Sequence, residues 1–299
     1  MEKTGGGARE GGAKIIALEQ MARVTRRFKP KGAHRLLTTV YSPERRAANH
    51  FEVIRPYGNN LRMLLDTSSF IEWQIFFYGR YEPEIVELIR ETCKPGGTAI
   101  DAGANVGCHA LIMAECAGEQ GRVIALEPHA RVFERLRANV AMNGLQQIET
   151  LRTAAGAESG TMQLYAPAST HHGAGKATMY EGNLALDPYA ASAMECADVP
   201  VTTIDRVMFE RECERLDLIK IDVEGHEMPV LRGARETIAR FRPSVIFEYT
   251  AEYWLNAGAN FADVRAFFEV QRYELRYITP KGPRPFEHVA NGNYVASPA

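Results

Sequence analysis

Thr98-Ala-Ile-Asp-Ala-Gly-Ala-Asn-Val-Gly107 decides the fold. It reads as a short buried strand, a tight glycine turn and the start of a helix that runs from about Cys108 to Ala117. Asp101 closes the strand, and Gly103 and Gly107 frame the turn. A turn this tight requires residues without a Cβ, so that the backbone passes beneath a ligand and offers N–H groups from the helix start. A second strand follows, Arg122-Val-Ile-Ala-Leu-Glu-Pro128, and ends in the acid Glu127. A strand, a glycine loop and an acid closing the next strand describe a site for an adenosine-bearing cofactor.

The order of the glycines narrows the ligand. A dinucleotide site reads Gly-x-Gly-x-x-Gly and places a pyrophosphate on the helix N-terminus. Here the order is Asp-x-Gly-x-Asn-x-Gly, from Asp101 through Gly103 and Asn105 to Gly107. An acid ahead of the first glycine repels a pyrophosphate and suits a ligand with a cationic end. S-adenosylmethionine carries a sulfonium, an ammonium and a ribose, and no phosphate. The alternatives at this stretch are a nucleotide-type turn without a cofactor and an NAD site with a degenerate loop.

Composition sets the bounds. The chain has 299 residues, 45% of them hydrophobic, which suffices for one large or two small cores. The formal net charge of −2 gives no global field to attract nucleic acid. Five cysteines, Cys93, Cys108, Cys116, Cys196 and Cys213, lack metal-type spacing and read as reduced thiols. No apolar run approaches the roughly 20 residues of a membrane span, and the N-terminus lacks a signal-peptide core. A cytoplasmic protein is expected, with no transmembrane segment.

Met1 to Ala13 is glycine-rich and mixed in charge, so it is expected to be disordered. A helix is expected from Lys14 to about Lys31, its far end basic with Arg23, Arg26, Arg27, Lys29 and Lys31. That end reads as a solvated helix terminus matched to the dipole, with an anionic or membrane surface as the alternative. Residues 1–50 thus form an N-terminal extension, and 51–299 the main domain. Tyr57-Gly-Asn-Asn60 between two apolar runs signals a hairpin. Phe70 to Gly79 reads as an aromatic helical cover, and Pro83 starts a further helix.

From Thr98 onward strands and helices alternate. Helices are expected at Ala130–Met142, after Pro229 and at Phe261–Val270. Strands are expected at Ile148–Ala155, Thr161–Ala166, Val199–Asp205, Leu216–Val223, Ser244–Tyr249, Glu274–Ile278 and Asn293–Ala296. The succession gives an α/β fold with a doubly wound, mostly parallel sheet. Pro167 to Cys196 breaks the rhythm, being rich in Gly, Ala, Ser and Thr, and is expected to be an acceptor-side loop.

Four strands end in an acid: Asp101, Glu127, Asp222 and Glu248. Ligands of open α/β sheets bind beyond the carboxyl ends of the strands, so these acids converge on one crevice. Glu127 suits the ribose, because a carboxylate accepts from both hydroxyls. The densest cluster is Lys220-Ile-Asp-Val-Glu-Gly-His-Glu227, where Gly225 permits a turn that faces Asp222, Glu224 and His226 into the crevice. His226 titrates nearest neutrality, and flanking carboxylates would hold the ring as a general base or acceptor-positioning group. A helix-capping role for His226, and dipole-complementing roles for Glu227 and some of the acids, remain open.

These motifs resemble those of the FkbM family of S-adenosylmethionine-dependent methyltransferases. The likeness rests on Ala99–Gly107, Leu126-Glu-Pro128, Asn139-Val-Ala-Met-Asn143, Ile219–Glu227 with Leu231-Arg-Gly-Ala234, and Arg242-Pro243 before the strand ending in Glu248. It covers the chain from about Phe51 onward. It implies a class I methyltransferase fold and O-methylation of hydroxyls on natural products, sugars or glycolipids. It also places Asp101, Gly103, Asn105, Gly107 and Glu127 at the cofactor, and Asp222, Glu224 and Glu248 at the active-site edge.

The reading is a methyltransferase with a small-molecule or glycan acceptor, its catalytic residues being Asp222, Glu224, His226 and Glu248. No metal is expected, since the acids stand on separate strands without ligand spacing. Nucleic acid is a poor acceptor, because no basic stripe and no amino-methylation motif accompany the Asp222 strand. A homo-oligomer is left open. The rivals are a divalent-metal-dependent O-methyltransferase, a non-catalytic S-adenosylmethionine-binding protein and an NAD oxidoreductase.

Overall fold

The computed structural model describes residues 7–28, 32–41, 50–167, 177–186 and 194–299. The chain divides into two compact units, Met1–Tyr81 and Glu82–Ala299. No helix among the described residues is long and apolar enough to cross a membrane.

The first unit holds helices α1 (Gly7–Phe28) and α2 (Ala33–Val40), the hairpin β1 (Glu52–Tyr57) and β2 (Leu61–Asp66), and α3 (Phe70–Tyr78). The hairpin forms as expected, pairing Glu52 with Asp66 through to Tyr57 with Leu61. Strand β2 alternates, so Leu61, Met63 and Leu65 turn inward. Helix α3 buries Trp73, Phe76 and Phe77, and Trp73 Nε1 donates to the Tyr41 carbonyl at 2.8 Å. Within this unit the aromatic segment packs Phe77 against Tyr41 and Phe76 against Phe51. One expectation fails: the helix starts at Gly7, not after Ala13. Ala8, Arg9 and Glu10 are good helix formers and extend a helix that buried Leu18 and Ala22 already anchor.

The second unit carries the expected alternation. Its elements are α4 (Pro83–Thr92), β3 (Thr98–Ala102), α5 (Cys108–Ala117), β4 (Arg122–Leu126), α6 (Ala130–Met142), β5 (Ile148–Leu151), β6 (Ala154–Ala155) and β7 (Gly160–Pro167). Then follow α7 (Glu181–Ala185), β8 (Met194–Thr202), α8 (Ile204–Glu210), β9 (Leu218–Ile221), α9 (Glu227–Arg232), α10 (Arg235–Phe241) and β10 (Ser244–Tyr249). The chain ends with α11 (Ala251–Asn256), α12 (Phe261–Val270), β11 (Tyr273–Thr279), β12 (Gly282–Arg284) and β13 (Gly292–Pro298).

Among the described residues the main sheet has the order β12-β11-β13-β10-β9-β3-β4-β5. Strands β10, β9, β3, β4 and β5 run parallel, and β13 lies antiparallel between β10 and β11. The inner strands are buried on both faces, so they read as continuous apolar runs. From β3 the chain winds outward through β4 and β5, and it returns to the other side of β3 with β9 and β10. The switch point therefore lies between β3 and β9, the place where open α/β sheets bind their ligands.

Four local expectations are corrected. The run Ile148–Ala155 is two strands, because β6 leaves the main sheet and joins β8 and β7 in a second one. The Thr153 hydroxyl bonds the Pro200 carbonyl at 2.9 Å and fixes that departure. The helix expected after Pro229 starts at Glu227 and splits at Gly233. A Cβ at Gly233 would stand 2.0 Å from the Gly156 carbonyl oxygen, so the strand-side backbone approaches too closely for one straight helix. The strand expected to reach Asp205 ends at Thr202, where Thr203 caps α8 by accepting from the Arg206 N–H. Of the expected loop Pro167–Cys196, residues 168–176 and 187–193 lie outside the described residues. Its middle, residues 177–186, is ordered by the Tyr165–Thr178 bridge and α7.

Candidate active site

The glycine loop is held from three sides. Gly103 has φ 82° and lies against the chain beyond β9, where a Cβ would stand 1.8 Å from the Asp222 carbonyl oxygen. Gly103 and Ala104 donate N–H groups to the Leu126 carbonyl at 3.0 and 2.9 Å. Asn105, at φ 51°, turns the loop and accepts its neighbour Val106 N–H on its own side chain. The fully buried Asn139 donates Nδ2 to the Val106 carbonyl at 2.9 Å. An asparagine is a weak helix former, so its place inside α6 is a signal of use that spacing alone did not assign.

Glu127 closes β4 and grips the loop. Its Oε2 accepts the Asn105 N–H at 3.0 Å, and its Oε1 accepts the His129 N–H at 2.9 Å. Burial pushes its carboxyl up to about 7, against the pull of those two N–H groups. Each oxygen keeps a lone pair for a further donor.

Asp101 is fully buried at the end of β3, opposite Lys220 in the β3–β9 register. Lys220 Nζ stands 3.7 Å from Asp101 Oδ1 and 3.1 Å from Asp222 Oδ2. Burial alone would lower the ammonium, but Asp222, Asp101 and Glu82 overcome it and hold it above its ordinary value. A lysine buried inside an apolar strand is costly unless paired, and here one cation serves two acids. The sequence pattern alone assigns Lys220 no role.

The turn after β9 is clamped. Glu224 takes φ 53°, and its carbonyl accepts Thr178 Oγ1 and Asn183 Nδ2, each at 2.8 Å. Gly225 takes φ 100°, where a Cβ would meet Asn183 Nδ2 at 2.5 Å. Asn256 Nδ2 donates to Asn183 Oδ1 at 2.7 Å, so α7 and α11 close on the turn together. Glu227 accepts the Val223 and Gly225 N–H groups on one oxygen, at 3.0 and 3.2 Å. Its role is to shape the turn.

Asp222 and Glu224 lie close enough to Glu248 for their charges to act on it. Burial, then the charges of Asp222 and Glu224, push the Glu248 carboxyl up to about 10. It is uncharged at neutral pH. Glu82, absent from the sequence candidates, joins this edge: burial and Asp222 push it up to about 7. A glutamate directly before the helix-starting Pro83 was the available signal.

His226 departs from expectation. Asp222 and Glu224 do not hold the ring; its Nδ1 lies 2.9 Å from the Tyr180 hydroxyl. Nε2 faces Gly156, where a Cβ would come within 3.3 Å. Burial pushes the imidazole down to about 4, so it is neutral rather than a stabilised imidazolium. It begins α9 without a side-chain capping bond, so the alternative of a helix cap fails too.

The sheet order, the antiparallel β13 and the acid–glycine loop above β3 define a class I fold of the S-adenosylmethionine-dependent methyltransferase type. A methyltransferase FkbM domain matches residues 101–275, more than half of the chain. The chain belongs to the FkbM methyltransferase family. It is 31% identical over 157 residues to methyltransferase sdnD of Sordaria araneosa, covering 46% of this chain and 60% of that protein. It is 26% identical over 154 residues to the hexuronic acid methyltransferase AglP of Haloferax volcanii, covering 52% and 56%. The match to the antimetabolite synthetase AmbE of Pseudomonas aeruginosa covers 73% of this chain and 11% of that protein. These first relatives are therefore all longer than the part this chain spans. A crystal structure of methyltransferase FkbM from Methylobacillus flagellatus KT aligns at 16% identity and TM-score 0.41, over 75% of this chain and 52% of that one.

The donor set fits S-adenosylmethionine. Glu127 has lone pairs for ribose hydroxyls, the loop brings N–H groups beside it, and the edge beyond is acidic with one shared cation. Such an edge favours a cationic ligand and disfavours a phosphate.

Proposed function

We propose that this crevice methylates a hydroxyl of a small molecule, sugar or glycolipid, with S-adenosylmethionine as donor. The observation that supports it most is the state of the acceptor edge. Glu248 is an uncharged carboxyl and His226 a neutral imidazole, beside Asp222 and Glu224. Such groups orient a hydroxyl by hydrogen bonding. The hexuronic acid methyltransferase AglP, to which the chain is similar, supports a sugar-type acceptor.

In this reading Gly103, Asn105 and Gly107 form the cofactor loop, Asp101 sets the charge beneath it, and Glu127 holds the ribose. The bound cofactor supplies a methyl carbon already activated by its sulfonium. The protein's part is then chiefly to position the acceptor. Glu248, as a neutral carboxyl, orients the hydroxyl, Asp222 and Glu224 orient it and take up its proton, and His226 fixes the turn that carries them. This reading needs no metal, since the acids stand on separate strands without ligand spacing.

The test is to incubate the purified protein with S-adenosylmethionine and a panel of hydroxylated sugars and natural products, reading products by mass spectrometry. A base-stable methyl ether is expected, formed equally after EDTA dialysis. A base-labile ester or an N-methyl product would overturn O-methylation of hydroxyls. Activity lost to EDTA and restored by magnesium would put the metal-dependent rival in its place.

A further inference from the structure

Glu82 stands at the N-cap of α4 with φ 40° and ψ 64°, in the left-handed region and directly before Pro83. Both features are unfavourable for a glutamate: a Cβ strains this region, and the residue before proline prefers extended backbone. Glycine would take the position freely, and serine or aspartate would repay it with a capping bond. Glu82 makes no side-chain capping bond. Its carboxylate reaches the site instead.

There Oε1 accepts Asn293 Nδ2 at 3.1 Å, and Oε2 lies 3.5 Å from His109 Nε2. Asn293 is the register partner of Glu248 across β10 and β13, so this places Glu82 at the acceptor-side acids. His109 brings no countercharge. It is buried, and desolvation and Lys220 hold it well below its ordinary value, so it is neutral. The cation whose charge reaches Glu82 is Lys220, already shared between Asp101 and Asp222. The Glu82 side chain is 21% exposed, so a ligand has access to it. It is a carboxylate fixed at some cost in backbone strain, with lone pairs to spare and a deficit of positive charge.

We infer that Glu82, outside the residues 101–275 matched by the family, binds the methionyl ammonium of the cofactor, a role that rests on the S-adenosylmethionine reading above. The sulfonium has no N–H to donate, whereas a primary ammonium donates three hydrogen bonds. Glu82 thus selects the amino-acid end of the ligand, and Glu127 the ribose end.

Titration calorimetry on the full chain separates the two ends. S-adenosylhomocysteine keeps the ammonium and lacks the sulfonium, and 5′-methylthioadenosine lacks the amino-acid end. Glu82→Gln keeps the shape and the acceptor for Asn293. It should weaken S-adenosylhomocysteine roughly 10- to 100-fold, the range for a charged hydrogen-bond partner, and leave 5′-methylthioadenosine within about twofold. On the parent chain, S-adenosylhomocysteine lacking its amino group should show a similar loss, and Glu82→Gln should be indifferent to that deletion. Unchanged S-adenosylhomocysteine affinity in the variant, or equal loss of both ligands, would overturn the assignment. Should the variant not fold, a loss under about threefold on deaminating the ligand, measured on the parent alone, would overturn it as well. A parent chain that binds neither nucleoside would instead sink the cofactor reading itself, a result distinct from every other.

Discussion

The Tyr180 hydroxyl lies 2.9 Å from Nδ1 of His226, with ring centroids 5.5 Å apart. This contact fastens residues 177–186 to the turn that carries Asp222 and Glu224, and Thr178 and Asn183 strengthen it through the Glu224 carbonyl. The turn is strained at Glu224 and tight at Gly225, so its shape depends on these bonds from α7 and the residues before it. The shape of this turn, which in the proposed reading positions the acceptor, is therefore set by a segment far away in sequence.

Removing Lys220 should destabilise the fold through the acids it leaves behind. Lys220→Met strips Asp101 and Asp222 of their shared cation, at a cost of about 3–5 kcal/mol in urea unfolding. Burial already raises the Asp101 carboxyl, and without Lys220 it rises further. A raised carboxyl contributes stability at low pH that is lost as pH climbs, so the penalty of Lys220→Met should shrink on acidification. Adding Asp101→Asn should recover part of the loss. Simple additivity of the two changes would contradict the pairing.

Glu127→Ala should weaken S-adenosylmethionine by about 1.5–3 kcal/mol, read by calorimetry on folded protein. The carboxyl sits near 7, and only its ionised form accepts fully from ribose. Affinity in the parent should therefore rise as pH passes upward through about 7, and Glu127→Gln should flatten that rise. The same shift acts oppositely on stability. The Glu127 contribution is present at acid pH and lost as pH climbs through its folded value. Unchanged affinity in Glu127→Ala would remove it from the ribose.

The sheet was legible because its inner strands are buried on both faces, and such strands appear as short apolar runs closed by acids. Asp101, Glu127, Asp222 and Glu248 each lie where that pattern puts them. The direction of His226 was not legible. It depends on positive φ at Glu224 and Gly225, and on a tyrosine 46 residues earlier in a stretch without periodicity. Glu82 was hidden by Pro83, since a proline at a helix start accounts for the local pattern without calling on its neighbour. Lys220 was visible as a lone cation in an apolar strand, yet its two partners stand on different strands or beyond a strand end. Asn139 needed the loop to be folded before its use showed.

Gly103 and Gly107 separate backbone from side-chain crowding. Gly103→Ala would drive a Cβ to 1.8 Å from the Asp222 carbonyl oxygen, where only backbone movement gives relief. A loss of at least about 3 kcal/mol is expected, with cofactor binding abolished. At Gly107 the nearest atom is Leu136 Cδ1 at 2.8 Å, the mobile end of a side chain. Gly107→Ala should cost about 1–2 kcal/mol, mostly from its φ of 95°. Equal melting points for the two variants would refute this division.

His226 tests how the acceptor is positioned. With its pKa pushed down to about 4, it is unprotonated across the neutral range. The unfolded chain takes up a proton near 6.5 and the folded chain only near 4, so its contribution to stability is full above about 6.5 and is lost as pH falls toward 4. The difference between the parent and His226→Gln in urea unfolding should change over that window by on the order of 3 kcal/mol, the parent losing more. On turnover, a group that holds the turn should cost up to about 100-fold when removed, with cofactor affinity retained. Tyr180→Phe removes only the hydroxyl that fixes the ring, and should raise the acceptor KM more than it lowers kcat. If His226→Ala instead lost about 1,000-fold or more, and His226→Gln lost the acidic limb of the pH–rate profile, the imidazole would be the base itself. If both variants turned over within a few-fold of the parent, Asp222, Glu224 and proximity would carry the chemistry without it.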